Sequence, residues 1–239
     1  MKAYLLAAGL GTRLKPLTDS VPKCLVPIAG EPLLGIWLAL CARHGITEVL
    51  LNLHHLPQAV RAFVAAYRGP VRIRLFEEPE LLGSAGTVAA TRDFVAGEDE
   101  FFILYADNLT DVDLGAMRAA HRARGAEFTI GLTPTDRPRE KGILTLDDAG
   151  LVTDFTEKPA EPRSNLANAG VYLAGPALLA LLPVTPPRPF DFGFDVLPRL
   201  VGRMHGHAIG EYLLDIGSHE ALARAAREWP ARHAAAGSL

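Results

Sequence analysis

Lys2-Ala-Tyr-Leu-Leu-Ala-Ala-Gly-Leu-Gly-Thr-Arg-Leu14 decides how the rest of the chain is read. Lys2–Ala7 is apolar almost without interruption, has the length of a buried strand, and is closed by Gly9-Leu10-Gly11. A strand without polar alternation has both faces covered, the usual condition of a parallel strand between layers of helices. The sequence downstream repeats the theme. Pro32 opens a helix with apolar positions at Leu33, Ile36, Trp37, Leu40 and Cys41, and Gly45 stops it. Glu48–Leu53 reads as the next strand and Pro57–Tyr67 as the next helix. Val71–Phe76 with Thr87–Phe94, then Phe101–Ala106 with Leu114–Arg124, continue the alternation. Strands separated by helices imply right-handed βαβ units. The expected fold is α/β: a Rossmann-like, mostly parallel mixed sheet covered by helices.

The second half is less regular. Gly142–Leu146 and Leu151–Thr156 flank Asp147-Asp148-Ala149-Gly150 and predict a β-hairpin, a small antiparallel insert. Asn168–Leu173 is a further strand, residues 183–189 are proline-rich, Glu211–Leu214 is short and apolar, and Ser218–Arg232 is a final helix. Ala234–Leu239 is expected to fray. No repeat of solenoid length occurs. The organisation expected is one domain over 1–239, with a first half at 1–135, a second at 136–215, and a C-terminal helix and tail at 216–239.

Composition bounds the function. The 239 residues are 49% hydrophobic and 21% charged, ample for a packed core and unlike a disordered chain. A formal net charge of −3 gives no global field for nucleic acid. Cys24 and Cys41 make neither a disulfide framework nor a zinc site, and read as small buried hydrophobes. Runs such as Phe101–Ala106 are far short of the roughly 20 apolar residues of a membrane span. The N-terminal run is too short for a signal peptide, so a cytoplasmic protein is expected, with no nucleic-acid or membrane partner.

The glycine turn after the first strand lets backbone N–H groups approach a ligand, and such amides bind phosphate. It is neither a dinucleotide fingerprint, since Leu14 stands where the third glycine belongs, nor a Walker A loop, since no Gly-Lys-Ser/Thr occurs. Arg13 and Lys23 supply charge to neutralise a triphosphate there. A tight strand–helix turn with two surface cations is the competing reading. Asp107 and Asp215 each follow an apolar strand, at the edge where open α/β sheets bind ligands. Two such acids suit Mg²⁺ with phosphate oxygens completing its shell, although an Asp after a strand also caps turns. Asp113, directly before Leu114, reads as a helix N-cap.

Leu6-Ala-Ala-Gly-Leu-Gly-Thr-Arg-Leu14 followed by Pro22-Lys-Cys-Leu-Val-Pro27 resembles the signature of sugar-1-phosphate nucleotidylyltransferases, a family with a GT-A-like fold. The resemblance continues through Leu82-Gly-Ser-Ala-Gly86, Tyr105-Ala-Asp-Asn108, Phe155-Thr-Glu-Lys-Pro159, Asn168-Ala-Gly170 and Leu214-Asp-Ile-Gly217. It implies that Leu6, Ala7, Ala8, Gly9, Gly11 and Thr12 cradle the nucleotide. Arg13 would act on the β/γ-phosphates and Lys23 on the α-phosphate, both as catalytic cations. Gly83, Ser84, Ala85 and Gly86 would line the base, and Asp107 and Asp215 would hold Mg²⁺. Asn108, Gly142, Glu157, Lys158, Asn168 and Tyr172 would form the sugar-phosphate side. The resemblance makes 1–135 the nucleotide-binding half and 136–215 the sugar-phosphate-binding half; the competing reading of Glu157-Lys158 is a solvated strand end.

Gly86 makes the base loop most like that of short single-domain mannose-1-phosphate guanylyltransferases. GTP and a manno-configured hexose or heptose 1-phosphate are therefore the favoured substrates. The sequence departs from the family pattern at Ala106, usually Gly, and at Ser84, usually Thr. Asp191-Phe-Gly-Phe-Asp195 resembles the family's wall beside the sugar, or begins a helix. The chain stops just after the resembling region, which reads as the short form, and a homodimer is compatible with it. A UTP- or CTP-dependent enzyme with another sugar phosphate or a phosphocholine-like acceptor is an alternative, as is a silent nucleotide-sugar sensor. The presence of Arg13, Lys23, Asp107 and Asp215 disfavours the sensor.

Overall fold

The computed structural model describes the backbone of residues 1–236 and side chains as far as Arg232. β1 (Lys2–Leu6) leads through short 3₁₀ turns and a two-stranded ribbon, β2 (Pro27–Ile28) with β3 (Glu31–Pro32), into α1 (Leu33–Arg43). There follow β4 (Glu48–Leu53), α2 (Pro57–Ala66), β5 (Arg72–Glu77), α3 (Ser84–Ala90), β6 (Phe101–Tyr105), β7 (Asn108–Thr110) and α4 (Leu114–Ala123). The second half comprises β8 (Phe128–Pro134), β9 (Gly142–Leu146), β10 (Val152–Glu157), β11 (Leu166–Ala174), α5 (Ala177–Leu181), β12 (Met204–Ala208), β13 (Leu213–Asp215) and α6 (His219–Ala236).

The main sheet is mixed and runs β10-β9-β11-β6-β1-β4-β5, with β8 joining β11 to β12. β5, β4, β1 and β6 are mutually parallel, whereas β11 runs antiparallel to β6, β8 and β9. Side chains alternate between two cores. Ala3, Leu5, Phe102 and Leu104 pack on one face with α1, while Tyr4, Phe101 and Ile103 pack on the other with α3 and Phe192. That two-sided burial explains why β1 and β6 are apolar at nearly every position. Each fully buried Leu or Phe contributes about 1.5–3 kcal/mol relative to exposure.

From β1 the chain winds outward to β4 and β5, then returns to place β6 on the opposite side of β1. The order reverses beside β1, and the crevice at the carboxyl ends of β1 and β6 is where such sheets bind ligands. β7 and β13 pair antiparallel just beyond that crevice, with Asp215 opposite Asn108.

Asp113 caps α4, accepting from the Ala116 N–H at 2.8 Å, as its position before Leu114 predicts. The hairpin β9–β10 is present, its loop closed by the Asp147 carboxylate accepting from Ala149 and Leu151. Phe128–Pro134 and Met204–Ala208, where no strand is expected, pair in parallel at one side of the sheet. Their glycines and histidines break the apolar runs that mark the other strands. The last helix continues through Pro230 to Ala236, past the expected end at Arg232. Of the tail expected to fray, Ala234–Ala236 is helical and residues 237–239 lie outside the described residues.

Candidate active site

A cavity of about 280 Å³ opens at the carboxyl ends of β1, β4 and β6. Leu6, Ala7, Ala8 and Gly9 form one wall, Gly83 and Ser84 another, and Lys23, Ala106 and Asp107 the third. A side chain at Gly9 would meet nothing within 4 Å, so the protein's own packing does not require glycine there. Glycine instead leaves the loop backbone open to a close ligand. Gly11 differs: at φ 62° it turns the chain, its carbonyl accepts the Thr18 hydroxyl at 2.9 Å, and a Cβ would collide with Thr18. Thr12 and Arg13 follow in a 3₁₀ turn, with Arg13 largely exposed above the cavity.

The floor is a buried polar network that no local sequence pattern marks. The Asn52 carbonyl oxygen accepts the Ala7 N–H at 2.6 Å, and its amide donates to Glu78 at 2.9 Å and Thr87 at 3.1 Å. The Thr87 hydroxyl donates to the same Glu78 oxygen, and the other Glu78 oxygen accepts the Leu82 N–H at 3.0 Å. Low-dielectric networks of this kind are stiff when every member has a partner. It ties the glycine turn after β1 to the loop before α3.

Asp107 and Asp215 lie far apart in sequence but converge because β7 pairs with β13. The Ile216 N–H donates to the Asp107 carbonyl at 3.2 Å, which fixes the two chain segments side by side. The Lys23 ammonium touches both carboxylates, at 2.7 Å from Asp107 Oδ2 and 3.3 Å from Asp215 Oδ1. Lys141 reaches Asp215 Oδ2 at 3.0 Å, and Arg13 stands 3.8 Å from the same oxygen. Gly217 leaves room for the guanidinium, since a Cβ there would collide with it.

Burial disfavours the Lys23 ammonium, 7% exposed, but the charges of Asp107 and then Asp215 outweigh it and hold its pKa above the ordinary lysine value. Burial likewise opposes the Asp215 carboxylate. Lys23 and Lys141, with a smaller effect from Arg13, reverse the sign and hold its pKa below the ordinary range.

Two carboxylate oxygens close enough to share one ammonium can also share one metal ion. The set is all oxygen and only two protein ligands strong; among the described residues no group of three or more His, Cys, Asp or Glu could hold a metal. This fits a hard divalent cation that keeps waters and takes substrate phosphate oxygens, and does not fit a zinc cage.

On the acceptor side, Glu157 occupies a slot between two glycines. A Cβ on either Gly142 or Gly193 would come within 2.5 Å of Glu157 Oε2. Burial pushes the Glu157 pKa up, with Lys158 opposing and Asp191 adding to the rise. Lys158 adopts φ 49°, a left-handed conformation that a non-glycine residue rarely takes, and its ammonium lies 5.7 Å from the ring centre of Phe194. Phe194 is 59% exposed in the π-helical turn Phe192–Val196.

A raised folded pKa means that the charged form of Glu157 is held at the expense of stability. The penalty grows as pH rises through the folded value and disappears below the ordinary carboxylate range. Glu157→Gln is therefore expected to raise Tm at pH 7 and to leave it unchanged at pH 4, as thermal melts at the two pH values would show. An equal shift at both would assign the effect to packing.

Several residues expected to meet ligand are engaged by the protein's own hydrogen bonds. Ala85 and Gly86 are buried, and both N–H groups donate to the Phe190 carbonyl, at 3.1 and 2.9 Å. Ser84 donates to Asp191 at 2.7 Å and accepts the Phe192 N–H. Asn108 is buried, and its amide donates to the Ala169 carbonyl at 3.0 Å. Tyr172 is fully buried against Phe192 and accepts from the Asn168 amide at 2.8 Å. Asn168 in turn accepts the Gly170 N–H within the irregularity that bends β11. Lys141 and Glu78 are missed in sequence because each sits in a charged run, Arg139-Glu-Lys141 and Glu77-Glu-Pro-Glu80, of the kind that usually faces water. The one available signal is the position of Lys141 directly before Gly142.

Fold and site together define the class: an α/β protein that gathers cations and a carboxylate pair around an open glycine turn, as phosphate chemistry requires. The nucleotidyl transferase family model matches residues 2–231, and the chain belongs to that family. It is 33% identical over 226 residues to mannose-1-phosphate guanyltransferase of Schizosaccharomyces pombe, covering 91% of this chain and 61% of that one. It is also 33% identical over 216 residues to UTP–glucose-1-phosphate uridylyltransferase of Synechocystis, covering 84% of this chain and 55% of the relative. The chain thus spans about three fifths of the first relative's length. HddC from Yersinia pseudotuberculosis, complexed with GMP-PN, shares the fold with a TM-score of 0.79 at 23% identity, over 95% of this chain and 99% of that one. Among the described residues no helix is long and apolar enough to cross a membrane.

Proposed function

We propose that the protein transfers a nucleotidyl group from a nucleoside triphosphate, GTP favoured, to a sugar 1-phosphate of manno configuration, releasing pyrophosphate. The observation that carries this reading is the sharing of one buried cation, Lys23, by Asp107 and Asp215 at the rim of the cavity beside the open glycine turn. In-line attack by the sugar-phosphate oxygen on the α-phosphorus needs no general base, because a phosphomonoester with a second pKa near 6 is already largely ionised at neutral pH. Catalysis then rests on placement and charge. The turn at Ala7–Gly9 presents backbone to the phosphates, with Gly11 and Thr12 setting its exit. Arg13 holds the β/γ end, and Lys23 offsets negative charge gathering at the α-phosphorus. Asp107 and Asp215 would hold Mg²⁺, which when bound would neutralise phosphate charge. Gly83 and Ser84 face the nucleotide, while Ala85, Gly86 and Phe190 fix the shape of that wall. Glu157 and Lys158, with Gly142 leaving them space, meet the acceptor. Asn108, Asn168 and Tyr172 hold this side in position.

GTP and mannose are favoured by the Schizosaccharomyces pombe relative and by the small residue at Gly86. UTP with glucose 1-phosphate is the second reading, favoured by the equally similar Synechocystis relative. Cys24 and Cys41, both free and buried, suit the reducing cytoplasm. Crossing GTP, UTP, CTP, ATP and dTTP with mannose, glucose, N-acetylglucosamine and heptose 1-phosphates, with pyrophosphate and product mass as readouts, tests the assignment. GDP-mannose or a GDP-heptose as the main product is expected. UDP-glucose would establish the second reading, and silence across all pairs would overturn both.

A further inference from the structure

Lys141 joins the two halves of the site. Its ammonium is 3.0 Å from Asp215 Oδ2, while its carbonyl accepts the Lys158 N–H at 3.0 Å. The side chain thus reaches the carboxylate pair from the acceptor hairpin, on the residue directly before Gly142. Three cations, Lys23, Lys141 and Arg13, face only two carboxylates, and both oxygens of Asp215 are engaged. Lys23 sits between the two acids and is nearly enclosed. Among the described residues the Lys141 ammonium pairs with Asp215 alone; it is 37% exposed, on a long flexible stem that can turn toward an incoming anion. Its charge is surplus to the needs of Asp215 and lies beside Glu157 and Lys158.

We propose that Lys141 is a binding residue for the phosphate of the acceptor, resting on Asp215 until that phosphate arrives. The inference builds on the reading of the acceptor as a phosphomonoester. It has two consequences, the second of which a purely structural lysine would not produce. A cation parked on Asp215 repels a divalent ion bound to the same carboxylate, so removing it tightens metal binding. Removing it also weakens binding of the acceptor while leaving the nucleotide largely unaffected.

Lys141→Met and Lys141→Arg test both. In calorimetry without nucleotide, Lys141→Met is expected to bind Mn²⁺ several-fold more tightly than the unaltered protein. It is expected to bind mannose 1-phosphate about ten-fold more weakly, the loss of one charge-assisted hydrogen bond at a partly exposed site. In turnover with GTP the KM for mannose 1-phosphate should rise by a similar factor, with kcat and the KM for GTP little changed, and Lys141→Arg should recover most of the loss. Equal acceptor binding by Lys141→Met and the unaltered protein would overturn the proposal, as would an equal rise in both KM values or weaker Mn²⁺ binding. If the unaltered protein turns over no sugar phosphate, the functional reading fails on its own, and the two binding titrations still decide the role of Lys141.

Discussion

Asp107→Asn is expected to reduce turnover by about three orders of magnitude, the scale on which a well-placed charge in an active site acts. The substitution keeps the size and shape of the side chain and removes one of the two negative charges that converge on Lys23. Mg²⁺ would then have a single carboxylate, Asp215, whose other contacts are the cations Lys23, Lys141 and Arg13. Weaker metal binding is therefore expected together with the loss of rate, and raising Mg²⁺ should restore little. Asp107 is 41% exposed and lies beyond the end of β6, away from the core, so Tm should move only slightly. Turnover near that of the unaltered protein would place the metal elsewhere.

Lys23→Met should lower turnover by about two to three orders of magnitude and carry a second signature in stability. Removing the buried ammonium leaves Asp107 and Asp215 facing each other without the cation that separates them. The variant should melt lower than the unaltered protein without divalent metal and regain most of the difference when Mg²⁺ is added, because an ion that binds only the folded state stabilises it by mass action. Thermal melts across a Mg²⁺ series would show this directly. A variant whose melting ignored Mg²⁺ would contradict the shared-cation geometry. One that lost stability with no loss of rate would reduce Lys23 to a structural counter-ion.

The parts of the molecule legible in sequence are those where one physical cause acts locally. β1, β4 and β6 are buried on both faces, so their apolar runs stand out. Asp113 announces α4 because a cap must lie at a fixed place. Asp107 and Asp215 are each marked by following a strand, but their meeting is made by the pairing of β7 with β13, which no spacing encodes. β8 and β12 escape because Gly131 and Gly206, placed where a Cβ would strike neighbouring side chains or backbone, interrupt their patterns. Glu78 and Lys141 carry the opposite difficulty: their charged neighbours face water and hide them. Gly86 and Tyr172 belong to motifs that the sequence displays clearly, yet both lie buried, one against Phe190 and the other against Phe192.

The most direct test follows the phosphorus atoms. The protein would be incubated with Mg²⁺, mannose 1-phosphate and GTP labelled at either the α- or the γ-phosphorus. The geometry predicts α-label in a sugar nucleotide and γ-label in pyrophosphate, formed one for one, with neither product when Mg²⁺ or the sugar phosphate is omitted. Transfer of γ-label to the sugar, or its release as inorganic phosphate, would contradict nucleotidyl transfer as the function of this site.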